Sequence, residues 1–449
     1  MMTKVKMELD YNFLFDKLFP IPRCITGKGY RKSLKLLSKY VPFKLINYKS
    51  GKKIYSWVIP KEWNVDDAYL LDQRGKKIID FKKNNLSIVY YSQPVNKTLN
   101  LKTLQKNLYT IKNQPNLIPY VTSYYHKNWG FCLKESERKR LIEQKYQAVI
   151  KSSFTDGNVQ LGLTKLRGKS KKTILISSYL CHPAMANNEL SGPLVLIGLY
   201  NKIKKWKKRN YTYLFLINPE TIGSICFISS HKDELKKNLV GGLVLTCLGG
   251  PNKQLSYKKS REGNSIIDKL YIREAKKNNV KIREFNANGG SDERQYNSPE
   301  PNLPVGQISR NVYKTYKEYH TSGDDKKFMK ISQIKKSVND IERKLLINEK
   351  YLPLKRLDPN CEIRLGKYGL YPSINHPNKN KYSSNTKKDG GFQKNIMLHL
   401  LSYADGKHNI LDVADLINVD VKEVNKVYKI LKKKKNIILS YNIYLISKH

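Results

Sequence analysis

No apolar run in this sequence approaches the roughly 20 residues that a membrane-spanning helix needs. The N-terminus also lacks the apolar stretch of a secretion signal, because Asp10 and Asp16 interrupt it. Cysteine is sparse: Cys24, Cys132, Cys181, Cys226, Cys247 and Cys361 are scattered, with no C-x-x-C pair. Negative charge is scarce as well, with 37 Asp and Glu against 84 Lys and Arg, a formal net charge of +47. The first absences argue against a membrane span and a disulfide framework, and predict a cytoplasmic protein with reduced, mostly buried thiols. The shortage of acid raises the question of a polyanion partner. The positive charge, however, is spread along the whole chain together with abundant Asn, Ile and Tyr, as AT-rich codon drift produces. A nucleic-acid binder concentrates it on one face. Salt-sensitive, nonspecific adsorption is expected either way.

At 449 residues and 40 % hydrophobic content, the chain has room for two or three domains. Residues 1–50 read as a helical first part of the main domain. Residues 51–115 change to short strand-like runs, two of them joined by a turn at Gln73-Arg74-Gly75, and read as a small inserted β-rich domain. Residues 116–365 settle into alternating strands and helices, a doubly wound α/β domain with a mixed sheet. A second hairpin is expected at Thr155-Asp156-Gly157-Asn158. The aromatic segment from Pro119 to Cys132 reads either as packing in a domain seam or as a pocket wall for a sugar or other ring. Residues 371–391 read as a linker. Residues 392–449 read as a winged helix, with three short helices, the last capped by Asp420, and a hairpin over 436–447.

The chemistry concentrates in four loops. The first, Cys181 to Gly192, lies between a buried strand and a helix that Ser191 is placed to cap, and holds His182, Asn187, Asn188 and Glu189. The others carry Glu220, Asp292, and Glu318 with His320 and Asp324. In open α/β sheets such strand ends bind ligands, and imidazole with carboxylate suits zinc. Each residue alone has a structural alternative. His182 could hold a loop, His320 could lie on the surface, Asp292 could pair with Arg294, and Glu220 could sit at a helix N-terminus.

Taken in order, His182…Ala186-Asn-Asn-Glu-Leu-Ser-Gly192, Pro219-Glu-Thr-Ile-Gly-Ser224, Gly290-Ser-Asp292 and Tyr319-His-Thr-Ser-Gly-Asp324 resemble the zinc aminopeptidase fold. More closely, the chain resembles a bacterial aminopeptidase-like family of unknown function, with an inserted β domain and a C-terminal winged helix, often associated with surface-polysaccharide gene clusters. That resemblance implies a zinc-dependent hydrolase of peptide or amide bonds, with His182 and His320 as metal ligands and Glu220 as base or ligand. Three positions depart from the two-zinc pattern. Asn188 stands where an aspartate bridges the metals, Glu220 is alone where two glutamates adjoin, and Thr246 replaces an aspartate. A neutral amide leaves two neighbouring dications uncompensated. The expectation is therefore one zinc, held by His182, His320 and a carboxylate from Glu189 or Asp292. Glu220 would act on the bound water, Asn188 would stand nearby, and Asp324 or Glu318 would orient His320.

Two functions follow from these residues. One is hydrolysis of a small peptide, an aminoacyl compound or an N-acyl sugar, in surface-polysaccharide metabolism. The other is an inactive binding module with a docking or DNA-binding winged helix. Residues 391–449 hold ten Lys/Arg and five Asp/Glu, a net +5 that is no denser than the chain average, so charge argues against nucleic acid. The run Lys432–Lys435 is the one local exception. Nothing in the sequence specifies an oligomeric state.

Overall fold

The structure, a computed structural model, describes residues 9–370, 390–433 and 438–440. It divides into two compact units, one running to Lys344 and the other starting at Leu345.

The first unit is built on an eight-stranded mixed sheet. Its strands are β1 (Lys44–Lys49), β2 (Asn158–Leu166), β3 (Thr173–Tyr179), β4 (Thr212–Asn218), β5 (Leu239–Leu245), β6 (Leu255–Lys258), β7 (Val280–Arg283) and β8 (Val305–Ser309). They lie side by side in the order β1-β2-β4-β3-β5-β8-β6-β7. The four central strands β4, β3, β5 and β8 are parallel, while β1, β2 and the β6–β8 pair add antiparallel joins. Every residue of β3 and β4 is buried, which is why both read as unbroken apolar runs instead of alternating ones. The expected doubly wound core is present. Strands β3 and β4 end at the first two of the loops singled out above.

A second sheet of four antiparallel strands joins Lys77–Asp80, Glu62–Leu71, Lys145–Thr155 and Val95–Asn100, in that order. Its long strand Lys145–Thr155 lies outside the 51–115 range read from sequence. The turn at Gln73–Gly75 does close a hairpin, with Asp72 N–H donating to the Lys76 carbonyl at 3.0 Å. The turn at Thr155–Asn158 does not. The strand before it pairs in the small sheet and the strand after it in the large one, so it hands the chain from one sheet to the other.

Ser191 is not a cap. A turn of π-helix, Ala186–Leu190, runs straight into the helix Ser191–Lys204, leaving Ser191 inside helical backbone. Its hydroxyl donates to the Asn187 carbonyl and accepts from Leu248 N–H at 2.9 Å. Gly192 brings this helix onto the sheet, because a β-carbon there would meet Ser178 Oγ at 2.2 Å and the Leu245 carbonyl at 2.4 Å.

The helix Ile331–Lys350 is tied to β8 through Asp340. Its carboxylate accepts from Arg310 Nη2, Lys336 Nζ and Arg343 Nη2, each at 2.7 Å. Burial raises the Asp340 pKa, but the bonds from Lys336 and Arg310 outweigh it and hold the carboxyl below its usual range. A depressed carboxyl contributes stability above its unfolded pKa and loses it as pH falls through the folded one. Asp340→Asn should therefore be less stable than wild type at pH 7 and converge on it toward pH 3. Urea midpoints at both pH values check this, and a difference that persists in acid would contradict it.

The second unit contains helices Gly390–Ser402, Ile410–Leu416 and Val421–Lys433 around a core that includes Ile396, Leu400, Val413, Val424 and Leu431. Asp420 caps the last helix as expected, accepting from Lys422 N–H at 2.7 Å. Most of the expected 436–447 hairpin lies outside the described residues, as does most of the 371–391 linker. Within them, Ile438–Ser440 pairs antiparallel with Leu354–Arg356. The winged helix thus draws a strand from before the linker.

Candidate functional site

Strand β3 delivers Cys181 and His182, and the π-turn folds Glu189 back toward them. His182 Nδ1 lies 2.7 Å from Glu189 Oε2. Both residues are buried. This contact fixes the ring and leaves Nε2 facing Glu220 Oε2 at 3.6 Å. Strand β4 delivers Glu220 through Asn218-Pro219, and the other carboxylate oxygen of Glu220 accepts from Ser291 Oγ at 2.6 Å. The fourth loop brings His320 alongside, with 5.3 Å between the two imidazole centroids. The His320 ring stacks on Tyr319 at 4.0 Å.

Asp292 does not join this group. Asn218 Nδ2, Thr221 N–H and Ser224 Oγ donate to it at 2.8, 2.7 and 3.0 Å, so its role is to pin the loop that carries Glu220. Thr221 sits at φ +64°, a conformation this clamp holds in place. Nor does Asp324 orient His320. It accepts from the N–H groups of Asn187 and Asn188 at 2.6 and 2.8 Å and so shapes the π-turn. Glu318 closes its own turn, its carbonyl accepting from Thr321 Oγ1 at 2.9 Å.

Two contributors escaped sequence reading. Ser291 stood beside the more conspicuous Asp292. Arg23 lies 159 residues from His182, is fully buried, and donates from Nε to the His182 carbonyl at 3.2 Å. Its Nη1 donates to the Leu18 carbonyl, and its field acts on Glu189. A buried guanidinium within the field of a buried carboxylate offsets part of the charge each brings into the interior. The aromatic segment, read from sequence as either a domain seam or a pocket wall, does line a pocket. Tyr120, Tyr124 and Tyr125 line a pocket of about 410 Å³ with Trp57, His182 and His320. The segment is stitched to the His320 loop, with Tyr120 N–H donating to the His320 carbonyl at 2.8 Å.

The electrostatics are those of a buried charge cluster. Burial pulls the His182 pKa down, but Glu189 and Glu220 outweigh it and the net shift is upward. Burial pushes Glu220 up against the opposing pull of His182. His320 is held well below its ordinary value by burial, His182 and Lys314, which keeps it neutral and able to bind a cation. Burial, then the charges of Glu189 and Glu220, push the Cys181 thiol well up. It therefore stays protonated and is no nucleophile, although its sulfur, His182 and Glu189 all lie within 4.8 Å of one another.

His182 and Glu220 are spaced to share one ion, whereas among the described residues the one trio with donor atoms all within 4.8 Å of one another is Cys181, His182 and Glu189, without His320. Two ligands at about 2.0–2.2 Å from a tetrahedral zinc lie roughly 3.4 Å apart, close to the His182–Glu220 separation. Imidazole whose second nitrogen bonds a carboxylate is the usual way a zinc histidine is oriented, which makes Glu189 a support for His182. Glu189 Oε1 and Asn188 Nδ2 are buried without hydrogen-bond partners.

Residues 11–350 match a family described as a domain of unknown function, DUF4910. This chain belongs to the DUF4910 family. Residues 353–439 match a winged helix-turn-helix family. A Clostridium acetobutylicum relative, named a putative polysaccharide biosynthesis protein with aminopeptidase-like domain, is 39 % identical over 409 residues, covering 90 % of each chain. The crystal structure of a putative peptidase from that organism aligns with a TM-score of 0.78 at 35 % identity, covering 95 % of both chains. A zinc aminopeptidase from Bacillus subtilis, at 12 % identity and a TM-score of 0.54, covers 76 % of this chain and 96 % of its own. That likeness shows a shared fold. Among the described residues of this DUF4910 chain, no helix is long and apolar enough to cross a membrane.

Where a second metal would call for carboxylates, the DUF4910 chain has neutral groups already engaged with one another. Tyr179 OH lies 2.5 Å from Thr246 Oγ1 and donates to the Asn188 carbonyl at 2.9 Å. Neither Asn188 nor Thr246 supplies the negative charge that a second dication requires.

Proposed function

We propose that this chain is a hydrolase of an amide or peptide bond built on a single zinc, with His182, His320 and Glu220 as ligands. The observation that carries the reading is the 3.6 Å separation of His182 Nε2 and Glu220 Oε2, with His320 beside them and the pocket in front. Bound there, zinc would acidify a water and polarise the scissile carbonyl. The chain's own part is to hold the donors. Glu189 presents His182, Ser291 steadies Glu220, and Arg23 balances the buried carboxylates. The small peptide, aminoacyl compound or N-acyl sugar expected from sequence remains the substrate class, and the relative's name supports a place in polysaccharide biosynthesis.

Metal analysis of untagged protein tests this. About one zinc per chain is expected, and His182→Ala or His320→Ala should each lower zinc affinity more than the ~10–100-fold typical of losing a supporting contact. Sub-stoichiometric zinc that neither substitution reduces would overturn the site.

One observation favours a second reading, a binding module without turnover. Glu220 is the only carboxylate lining the pocket among the described residues, and a residue that ligates the metal cannot also serve as the base for its water.

A further inference from the structure

The ligand-facing side of the pocket carries an inference about substrate class, and it rests on the pocket being the site proposed above. In a chain where 84 of 449 residues are Lys or Arg, neither type occurs in the lining. The walls are rings: Trp57 and Tyr125 meet edge to face at 5.7 Å, and Tyr120 and Tyr124 join their hydroxyls at 2.7 Å. Tyr120 in turn packs its edge on both imidazoles, at 5.2 and 5.3 Å. Ile25 and Ile222 complete an apolar margin.

The fixed charge at the floor is carboxylate. Glu220 lines the pocket and Glu189 lies behind His182, while Arg23 is fully buried outside the lining, bonding the His182 and Leu18 carbonyls through Nε and Nη1 and leaving Nη2 without a partner. Besides Arg23, a cation whose field reaches the floor is Lys314, on an exposed turn outside the lining. With the proposed zinc taken up by the scissile amide, a phosphate lodged against the ring walls would lose hydration with no guanidinium or ammonium there to replace it. An uncharged ring with an apolar face loses little on entry and gains contact with Trp57 and Tyr125. Trp57 sits on the short hairpin of Lys53–Ile54 and Trp57–Val58, so selectivity would come from the β-rich segment and the chemistry from the large sheet.

We propose that this pocket selects substrates bearing a neutral ring next to the scissile amide, and rejects phosphorylated or nucleotide-linked ones. An aromatic amino-acid side chain and the CH face of a neutral N-acyl sugar share that chemistry. The test is calorimetry on the full-length zinc-loaded chain with two probe pairs. The first is phenylalaninamide against phosphotyrosine amide, and the second N-acetylglucosamine against its 1-phosphate. In at least one pair the neutral member should bind ten times or more tighter than its phosphorylated partner. Whichever pair shows the preference identifies a peptide-like or a glycan-like source. Trp57→Ala and Tyr125→Ala should each weaken the neutral probe about tenfold, while Lys314→Ala leaves it unchanged. Circular dichroism checks that the variants are folded. Phosphorylated probes binding as well as the neutral ones, neutral binding indifferent to both ring substitutions, or no neutral binding up to about 10 mM would each overturn the proposal. Zinc measured on the same samples separates the two failures, because loss of the metal reading leaves the ring preference intact.

Discussion

Glu220→Gln is expected to release the metal. If Glu220 is a ligand, as its 3.6 Å approach to His182 Nε2 indicates, replacing a charged donor by a neutral amide should weaken zinc binding by more than ~100-fold. That exceeds the ~10–100-fold expected of Glu189→Gln, which acts one contact further out. If Glu220 is instead the base, Glu220→Gln keeps its zinc while turnover falls by ~10²–10⁴. Zinc titration of the two variants against a competing chelator decides between these roles. The same result weighs the enzyme against the binding module, since a Glu220 committed to the metal leaves no lining carboxylate to accept a proton.

The second large effect lies behind the site. Lys258 is buried at the end of β6 and donates to Glu293 Oε1 at 2.9 Å and to the Asn286 and Gly289 carbonyls at 2.7 and 2.5 Å. Glu293 is fully buried, and its other oxygen accepts from Ser291 N–H at 2.9 Å and Gln307 Nε2 at 3.2 Å. This pair holds the loop that presents Ser291 to Glu220. Lys258→Met strands a carboxylate in the interior and should cost about 3–5 kcal/mol. Adding Glu293→Leu removes the stranded charge and should restore much of the loss, by the argument that an apolar pair can replace a buried ion pair. Denaturant unfolding of the single and double variants measures both. A double variant no more stable than Lys258→Met would show that the loop carbonyls, not the charge, set the cost.

The parts of the molecule that were legible in sequence are those whose physics is local. Strands β3 and β4 are seven-residue runs buried on all sides, and the loops after them carry the histidine and glutamate that meet. What could not be read depends on contacts made far along the chain. Asp292 looked like a ligand because its residue type suits zinc, yet three donors from the β4 loop had already claimed it. Asp324 looked like a partner for His320 because the two are close in sequence, but folding carries its carboxylate to a turn 137 residues away. Ser191 had the composition of a cap, and the preceding π-turn left no helix start for it to cap. Lys145–Thr155 pairs with residues between 45 and 93 positions earlier, and no period in its own residues marks that choice. Arg23 gave no signal at all, since one arginine among 84 basic residues is distinguished only by where it ends up.

The carboxylate that shapes the Asn187–Glu189 turn has a consequence for the order in which this protein is made. Asp324 follows Asn187 by 137 residues, which at about 5–20 residues per second is roughly 7–27 s of synthesis. During that interval β3 and β4 exist, but the turn between His182 and the following helix lacks the acceptor for its N–H groups, and His320 has not yet been made. The turn between His182 and that helix is therefore completed only once Asp324 has been made. Any metal shared by His182 and His320 would wait until His320 is made, long after Arg23 has left the ribosome.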